Sequence, residues 1–357
     1  MSRNTIASID LAAIRHNFDV VRGLVPEGKI AAVVKADGYG HGITRVAGAL
    51  KNADLLAVAT PGEAAALRNG GWSGRLLMLE GFANIDDFEL AKSLSAETVV
   101  HHVSQLEMLR QRGWMAGNKI WLKLDSGMHR LGFPRTDAGA VFNELESMAG
   151  VGAVILMSHF ACADETGNPK TNIQIERFDE STKGLKAEQS LANSAGVLNF
   201  PQSHRNIVRP GILLYGISPD SGKSAHEIGL KPAMTLTSEL VAINQCKKGE
   251  TVGYGAAYTC PEDMRIGVAA IGYGDGYPRH LRSGTPVLVN DRKAQLAGRV
   301  SMDLITLDLR GHDDAKTGDP VVLWGEGLAV ETIAPWADAV PYELICGVTG
   351  RVPRVTI

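Results

Sequence analysis

From residue 30 to about residue 210, short apolar runs alternate with stretches of helical periodicity. The runs cover 30–34, 55–59, 76–79, 98–101, 120–124, 153–157, 190–192 and 206–208. The first six stand on pattern alone, and the last two are short and draw support from the repeat. Between them, 61–69 opens on a proline and is followed by Gly70-Gly71, the usual punctuation of a helix. A second helix is predicted over 173–185. An amphipathic segment over 11–25 precedes the first strand and sets Leu11, Ile14, Phe18, Val21 and Leu24 on one face. Eight strands alternating with helices over roughly 200 residues is the count of a closed (β/α)8 barrel, with an open doubly wound sheet as the competing topology.

Past Leu230 the texture changes. Alternating β-rich stretches at 234–243, 265–271, 285–289, 304–309 and 320–323 are separated by glycine-rich turns, and the helical period survives only over 331–337. The chain therefore reads as α/β: an N-terminal (β/α)8 TIM-like barrel over 1–229, then a mostly antiparallel β domain over 230–357. A length of 357 residues, 45% of them apolar, is enough for two cores. The formal charge of −3, with no basic run and no acidic tail, makes nucleic acid or a membrane surface an unexpected partner.

The start, from Met1 to Asp10, lacks the apolar core of a secretory signal, and runs such as 151–157 fall far short of the ~20 residues that cross a bilayer. Cys162, Cys246, Cys260 and Cys346 are dispersed, with no Cys-x-x-Cys pair. That argues against a zinc ribbon or a disulfide framework, and the expected location is the cytoplasm. His101-His102 is read as structural, because neighbours on a strand point to opposite faces, and no metal site is expected.

In a parallel barrel, chemistry is carried at the carboxyl ends of the strands. Reading only those positions gives Lys35 in Val33-Val34-Lys35-Ala36-Asp37-Gly38-Tyr39-Gly40-His41-Gly42, and Asp125 and Arg130 after the fifth run. Ser158 and His159 follow the sixth, Asn193 and Ser194 the seventh, and Arg209 the eighth. A lysine ending an apolar strand suits Schiff-base chemistry, since burial disfavours its ammonium and frees a nucleophilic amine. Ser194 with Gly211 and Ile212 can form a phosphate cradle of the kind found after the last two barrel strands; a plain tight turn is the alternative.

These residues carry a family resemblance. The segment 33–42 resembles the pyridoxal-phosphate lysine motif of alanine racemases. The match continues through 123–132, Ser158-His159-Phe160, Asn193-Ser194, 208–216, Val252-Gly253-Tyr254-Gly255, 272–276, 298–303, Tyr342-Glu343-Leu344 and Arg351-Val352-Pro353, in family order and spacing over nearly the whole chain.

The resemblance implies an isomerase that interconverts L-alanine and D-alanine on pyridoxal 5'-phosphate, by two bases on opposite faces. Lys35 would hold the cofactor covalently and serve one face. Tyr254, reaching in from the partner subunit of a homodimer, would serve the other. Arg209 would contact the pyridine nitrogen, and His159 would link Tyr254 to Arg209. Arg130 would contact the phenolic oxygen and lie near the substrate carboxylate, which the Met302 N–H of the partner would bind. Tyr39, Ser194, Gly211 and Ile212 would hold the phosphate. Lys123 matches a lysine carbamylated in some members, or else forms an ordinary barrel-interior ion pair. Gly350 stands where some members carry a phosphate-contacting tyrosine, and Ser301 where some carry a cysteine.

Several rivals remain open from the sequence. One is a racemase for serine or of broad specificity, since one methylene or hydroxyl discriminates by only ~1–3 kcal/mol. Another is a non-catalytic pyridoxal-phosphate carrier, which resembles the barrel alone. A barrel-fold decarboxylase would carry a Cys-Glu-Ser-x-Asp element, not found in this sequence, and a Schiff-base aldolase would need no cofactor. The physiological direction, D-alanine supply for the cell wall or D-alanine breakdown, is not written in the residues.

Overall fold

The computed structural model describes residues 4–220 and 222–357, so the first three residues of the segment 1–10, read above for a secretory signal, lie outside the described part. Eight parallel strands pair in chain order: Lys29–Val33, Leu55–Val58, Leu76–Met78, Glu97–Val100, Asn118–Lys123, Val151–Met157, Gln189–Ser190 and Ile207–Val208. The eighth returns to pair with the first, Lys29 opposite Ile207. The remaining seam is held by the Asn206 N–H donating to the Gln189 carbonyl at 3.2 Å and the Arg209 N–H to that of Ala192 at 2.8 Å. The sheet is thus a closed barrel and not an open one.

Both faces of these strands are covered, which is why they read as apolar runs without alternation. Leu55, Leu56, Ala57 and Val58 are all fully buried. The helix Pro61–Asn69 begins where predicted, with Thr60 and Glu63 forming a reciprocal cap. Glu63 also accepts from the Ala36 N–H at 2.6 Å, so one carboxylate starts a helix and clamps the turn after Lys35. The helix Leu11–Leu24 is capped by Asp10 and buries Ile14, Phe18 and Val21. Leu24 departs from the predicted stripe at 40% exposure, because the helix ends there and the turning chain buries Val25 instead.

The second sheet runs in the order Met264–Ala269, Ile305–Asp308, Arg292–Leu296, Pro286–Val289, Pro320–Trp324, Met234–Cys246, Ile6–Ile9, Arg354–Thr356. Met234–Cys246 also pairs with Met264–Ala269, so six antiparallel strands close on themselves. Ile6–Ile9 runs antiparallel to Met234–Thr237 and parallel to Arg354–Thr356, tying the start of the chain to its end. The helical stretch predicted at 331–337 is a short helix, Val330–Ile333, followed by a 3-10 turn, Ala334–Ala337, because Pro335 cannot continue the α ladder. Most buried side chains of both sheets run into one apolar core, with Met264 and Ile266 in a smaller cluster beside Val252 and Cys260, and Pro341–Gly347 packs its helix at the barrel mouth. Among the described residues no helix is long and apolar enough to cross a membrane.

Candidate active site

Lys35 leaves the first barrel strand and begins a turn of unusual hand. Ala36, Asp37, Gly38 and Tyr39 all have φ between 51° and 63°. Left-handed backbone at three non-glycine residues costs about 1–2 kcal/mol each and persists only where surroundings dictate it. Here the Gly38 N–H donates to the Val34 carbonyl, the Gly40 N–H to that of Ala36 and the Gly42 N–H to that of Asp37, while the Asp37 carboxylate caps the Ile43 N–H at 2.8 Å. The result throws the Tyr39 ring inward to stack on Tyr215, with centroids 4.7 Å apart.

The Tyr39 hydroxyl lies over Gly211, where any Cβ would strike it. The Ser194 hydroxyl accepts from the Gly211 N–H at 2.8 Å. Ser194 opens the helix Ser194–Asn199 and Ile212 opens the next turn, so hydroxyls and main-chain N–H groups gather as an anion cradle.

Arg209 is 4% exposed, and each of its contacts donates outward from the guanidinium: to the Ser190 carbonyl at 2.9 Å, the Ser190 hydroxyl at 2.6 Å, the Ser158 carbonyl at 2.7 Å and the Leu191 carbonyl at 3.2 Å. Burial draws its pKa down to about 10, which still leaves a cation at neutral pH. It also donates to His159 Nδ1 at 3.4 Å. Burial first, and then the positive charge of Arg209, hold His159 well below its usual range and hence neutral. With Nδ1 accepting, the histidine proton sits on Nε2.

Lys123, on the strand Asn118–Lys123, is 7% exposed, and burial followed by Arg209 and Arg130 lowers its pKa to about 8. The loop to Arg130 is pinned by one carboxylate oxygen of Asp125, which accepts from the N–H groups of Gly127, Met128 and His129.

These side chains line one cavity of about 640 Å³ at the carboxyl ends of the barrel strands. Lys35, Tyr39, Arg130, His159, Ser194, Arg209, Gly211 and Ile212 are all on its wall. Asp125 and Ser158, also read at the strand ends, are not on it, and neither are Tyr254 and Met302, which are 69% and 52% exposed on the β domain. The Met302 loop is nonetheless built tightly. The Tyr273 and Gly274 N–H groups donate to the Ser301 and Met302 carbonyls, and Arg351 bridges Asp275 and Asp303.

The wall also holds Tyr342, its ring 6.0 Å from that of Tyr39, and Cys346, neither of which the sequence reading placed there. The signal available for Tyr342 was the Pro341-Tyr342-Glu343 helix start. Gly350, where some members carry a phosphate-contacting tyrosine, has open space around it. His101 hydrogen-bonds to the Glu80 carbonyl and His102 caps the helix Val103–Arg112. All four cysteines are free.

Comparison with known proteins places this geometry. Residues 9–219 match the model of the alanine racemase N-terminal domain, and 233–356 that of the alanine racemase C-terminal domain. An alanine racemase from Nitrosococcus oceani is 49% identical over 350 residues, 98% of each chain. Among solved structures, the biosynthetic alanine racemase from Pseudomonas aeruginosa superposes with a TM-score of 0.97 at 45% identity over 100% of both chains. The alanine racemase from Bartonella henselae with covalently bound pyridoxal phosphate gives 0.91 at 26% identity over the same extent.

Proposed function

From the premise that this chain belongs to the alanine racemase family, we propose that it interconverts L-alanine and D-alanine with pyridoxal phosphate, as a homodimer whose active sites are shared between subunits. The observation that carries the reading is the convergence of Lys35, Arg130, His159, Arg209 and the Ser194–Gly211 cradle on one cavity. The residues present suit the cofactor. Gly211 lets the Tyr39 hydroxyl approach its backbone beside the Ser194 hydroxyl, where any Cβ would clash, and Lys35 offers an amine to the same cavity.

In this reading Tyr39, Ser194, Gly211 and Ile212 hold the phosphate, Lys35 the carbonyl end, and Arg209 the ring nitrogen. When bound, pyridoxal phosphate supplies a ring into which the charge left by α-proton removal can spread. An arginine cation beside the ring nitrogen disfavours its protonation, and so limits that spreading and the side reactions it permits. Racemisation takes a proton from one face of the α-carbon and returns one to the other. The Lys35 amine serves one face, and Tyr254 of a second copy the other. A neutral His159, with Nδ1 occupied by Arg209, has its Nε2 proton to offer that phenol. Arg130 and the Met302 N–H of the second copy hold the substrate carboxylate. Residues 1–229 would thus carry the cofactor, and 230–357, besides giving Tyr342 and Cys346 to the wall of their own chain's cavity, would complete the neighbour's site. The high exposure of Tyr254 and Met302 supports this division.

Chiral analysis of L-alanine and L-serine incubated with the purified protein and pyridoxal phosphate tests the proposal. Alanine should reach an equal mixture of enantiomers, and serine should turn over far more slowly. Equal rates would point to a broad-specificity racemase, and optical purity in both would dispose of racemase activity.

A further inference from the structure

Two of the free cysteines meet in the β domain, neither of them on the wall of the Lys35 cavity. Cys246 ends the strand Met234–Cys246 opposite Met264, and Cys260 stands just before Met264 in the chain. The segment between the two cysteines folds back on itself. The Gly249 N–H donates to the Cys260 carbonyl and the Cys260 N–H to the Glu250 carbonyl, both at 2.8 Å. Cys246 packs against the small apolar cluster of Val252, Cys260, Met264, Ile266 and Ala297. The two thiols are close enough to share a hydrogen bond.

The thiols differ in access. Cys260 is 1% exposed, and burial followed by the neighbouring Cys246 holds its pKa above the usual thiol range. Cys246 is half-buried at the end of its strand, and residues 247–250 beyond it are exposed. A reagent from solvent therefore meets Cys246 first, with Cys260 waiting behind it.

The segment they bracket carries Tyr254. Its hairpin has two paired positions, Thr251 opposite Thr259 and Val252 opposite Tyr258. The turn strings together positive φ at Gly253, Gly255 and Ala256 and leaves Tyr254 69% exposed. So short a ladder holds weakly by itself.

We propose that Cys246 and Cys260 form a reversible disulfide that staples the base of the Tyr254 hairpin. With a small-molecule disulfide as oxidant, the Cys246 thiolate attacks one of its sulfurs, releases one thiol and is left in a mixed disulfide. The Cys260 thiolate then attacks the Cys246 sulfur and expels the second thiol. The protein thiols thus give up two electrons and two protons, and the reduced reagent takes up both. The cross-link does not depend on the racemase reading; only its bearing on Tyr254 as a base does.

The test treats the cofactor-saturated enzyme with excess oxidised glutathione, alkylates the remaining thiols and maps the unreduced digest by mass spectrometry. Peptides joined through Cys246 and Cys260 are expected, and dithiothreitol should separate them. Because closing the loop removes open states, amide exchange over 251–259 should slow about tenfold on oxidation. Cys246→Ser protein should show no such change. Glutathione that stays on Cys246, or a pair of thiols that both remain open to alkylation, would overturn the disulfide. A cross-link that leaves exchange over 251–259 unaltered would overturn the staple.

Discussion

Lys123 illustrates how far a single buried amine can shape the behaviour of the barrel. Its pKa falls from 10.5 to about 8 in the folded protein. Below pH 8 the folded and unfolded chains both carry the proton, and the folded one bears a penalty on the order of 3 kcal/mol for the buried charge. As the pH rises from 8 towards 10 the folded protein releases its proton first, and stability climbs. Urea denaturation of cofactor-free Lys123→Met should therefore give a protein roughly 2 kcal/mol more stable than wild type at pH 7, with the gap closing by pH 10. A gap that stays constant over that range would refute the burial account. Lys35, His159, Ser194 and Arg209 were legible because each follows an apolar run, where a strand gives out, whereas Lys123 lies inside its run and entered only through the family resemblance. Tyr342 was not legible as a wall residue. It belongs to a helix of the other domain, and only tertiary packing carries it to the barrel mouth.

At the level of elements, the left-handed turn after Lys35 depends on a close approach. Gly40 has φ of 80°, and a Cβ there would collide with the Ile345 carbonyl in the helix Pro341–Gly347. Gly71 has φ of 90°, but a methyl group at that position would meet nothing within 4 Å, so it isolates the conformational part of the cost. Gly71→Ala should lose about 1 kcal/mol and Gly40→Ala about 3 kcal/mol in chemical denaturation. Similar losses would mean that the turn and the helix are not in contact in solution. The barrel strands were readable because burial on both faces gives continuous apolar runs. Arg292–Leu296 escaped because two of its five residues are exposed cations, though the Asn290-Asp291 pair before it, both at positive φ, is a hairpin signal. Ile6–Ile9 and Arg354–Thr356 escaped because each is too short to show a period and finds its partners only across the length of the chain.

At the scale of the whole molecule, a shared site makes a quantitative demand. If Lys35 works with Tyr254 of a second copy, Lys35→Ala and Tyr254→Phe are each inactive as homodimers. A random mixture of the two subunits contains half hybrid dimers, each with one intact site, so co-refolding should restore about a quarter of wild-type racemisation. Recovery of no activity, with hybrid dimers present by mass spectrometry, would mean that both groups act within one chain. The pairing of Ile6–Ile9 with Arg354–Thr356 has its own bearing on how such a molecule is made. The first strand to leave the ribosome waits for one neighbour until residue 234 and for the other until residue 354. A chain lacking residues 354–356 would leave Ile6–Ile9 as the edge of this sheet in place of Arg354–Thr356, and so offer a longer, more buried apolar strand for unwanted pairing.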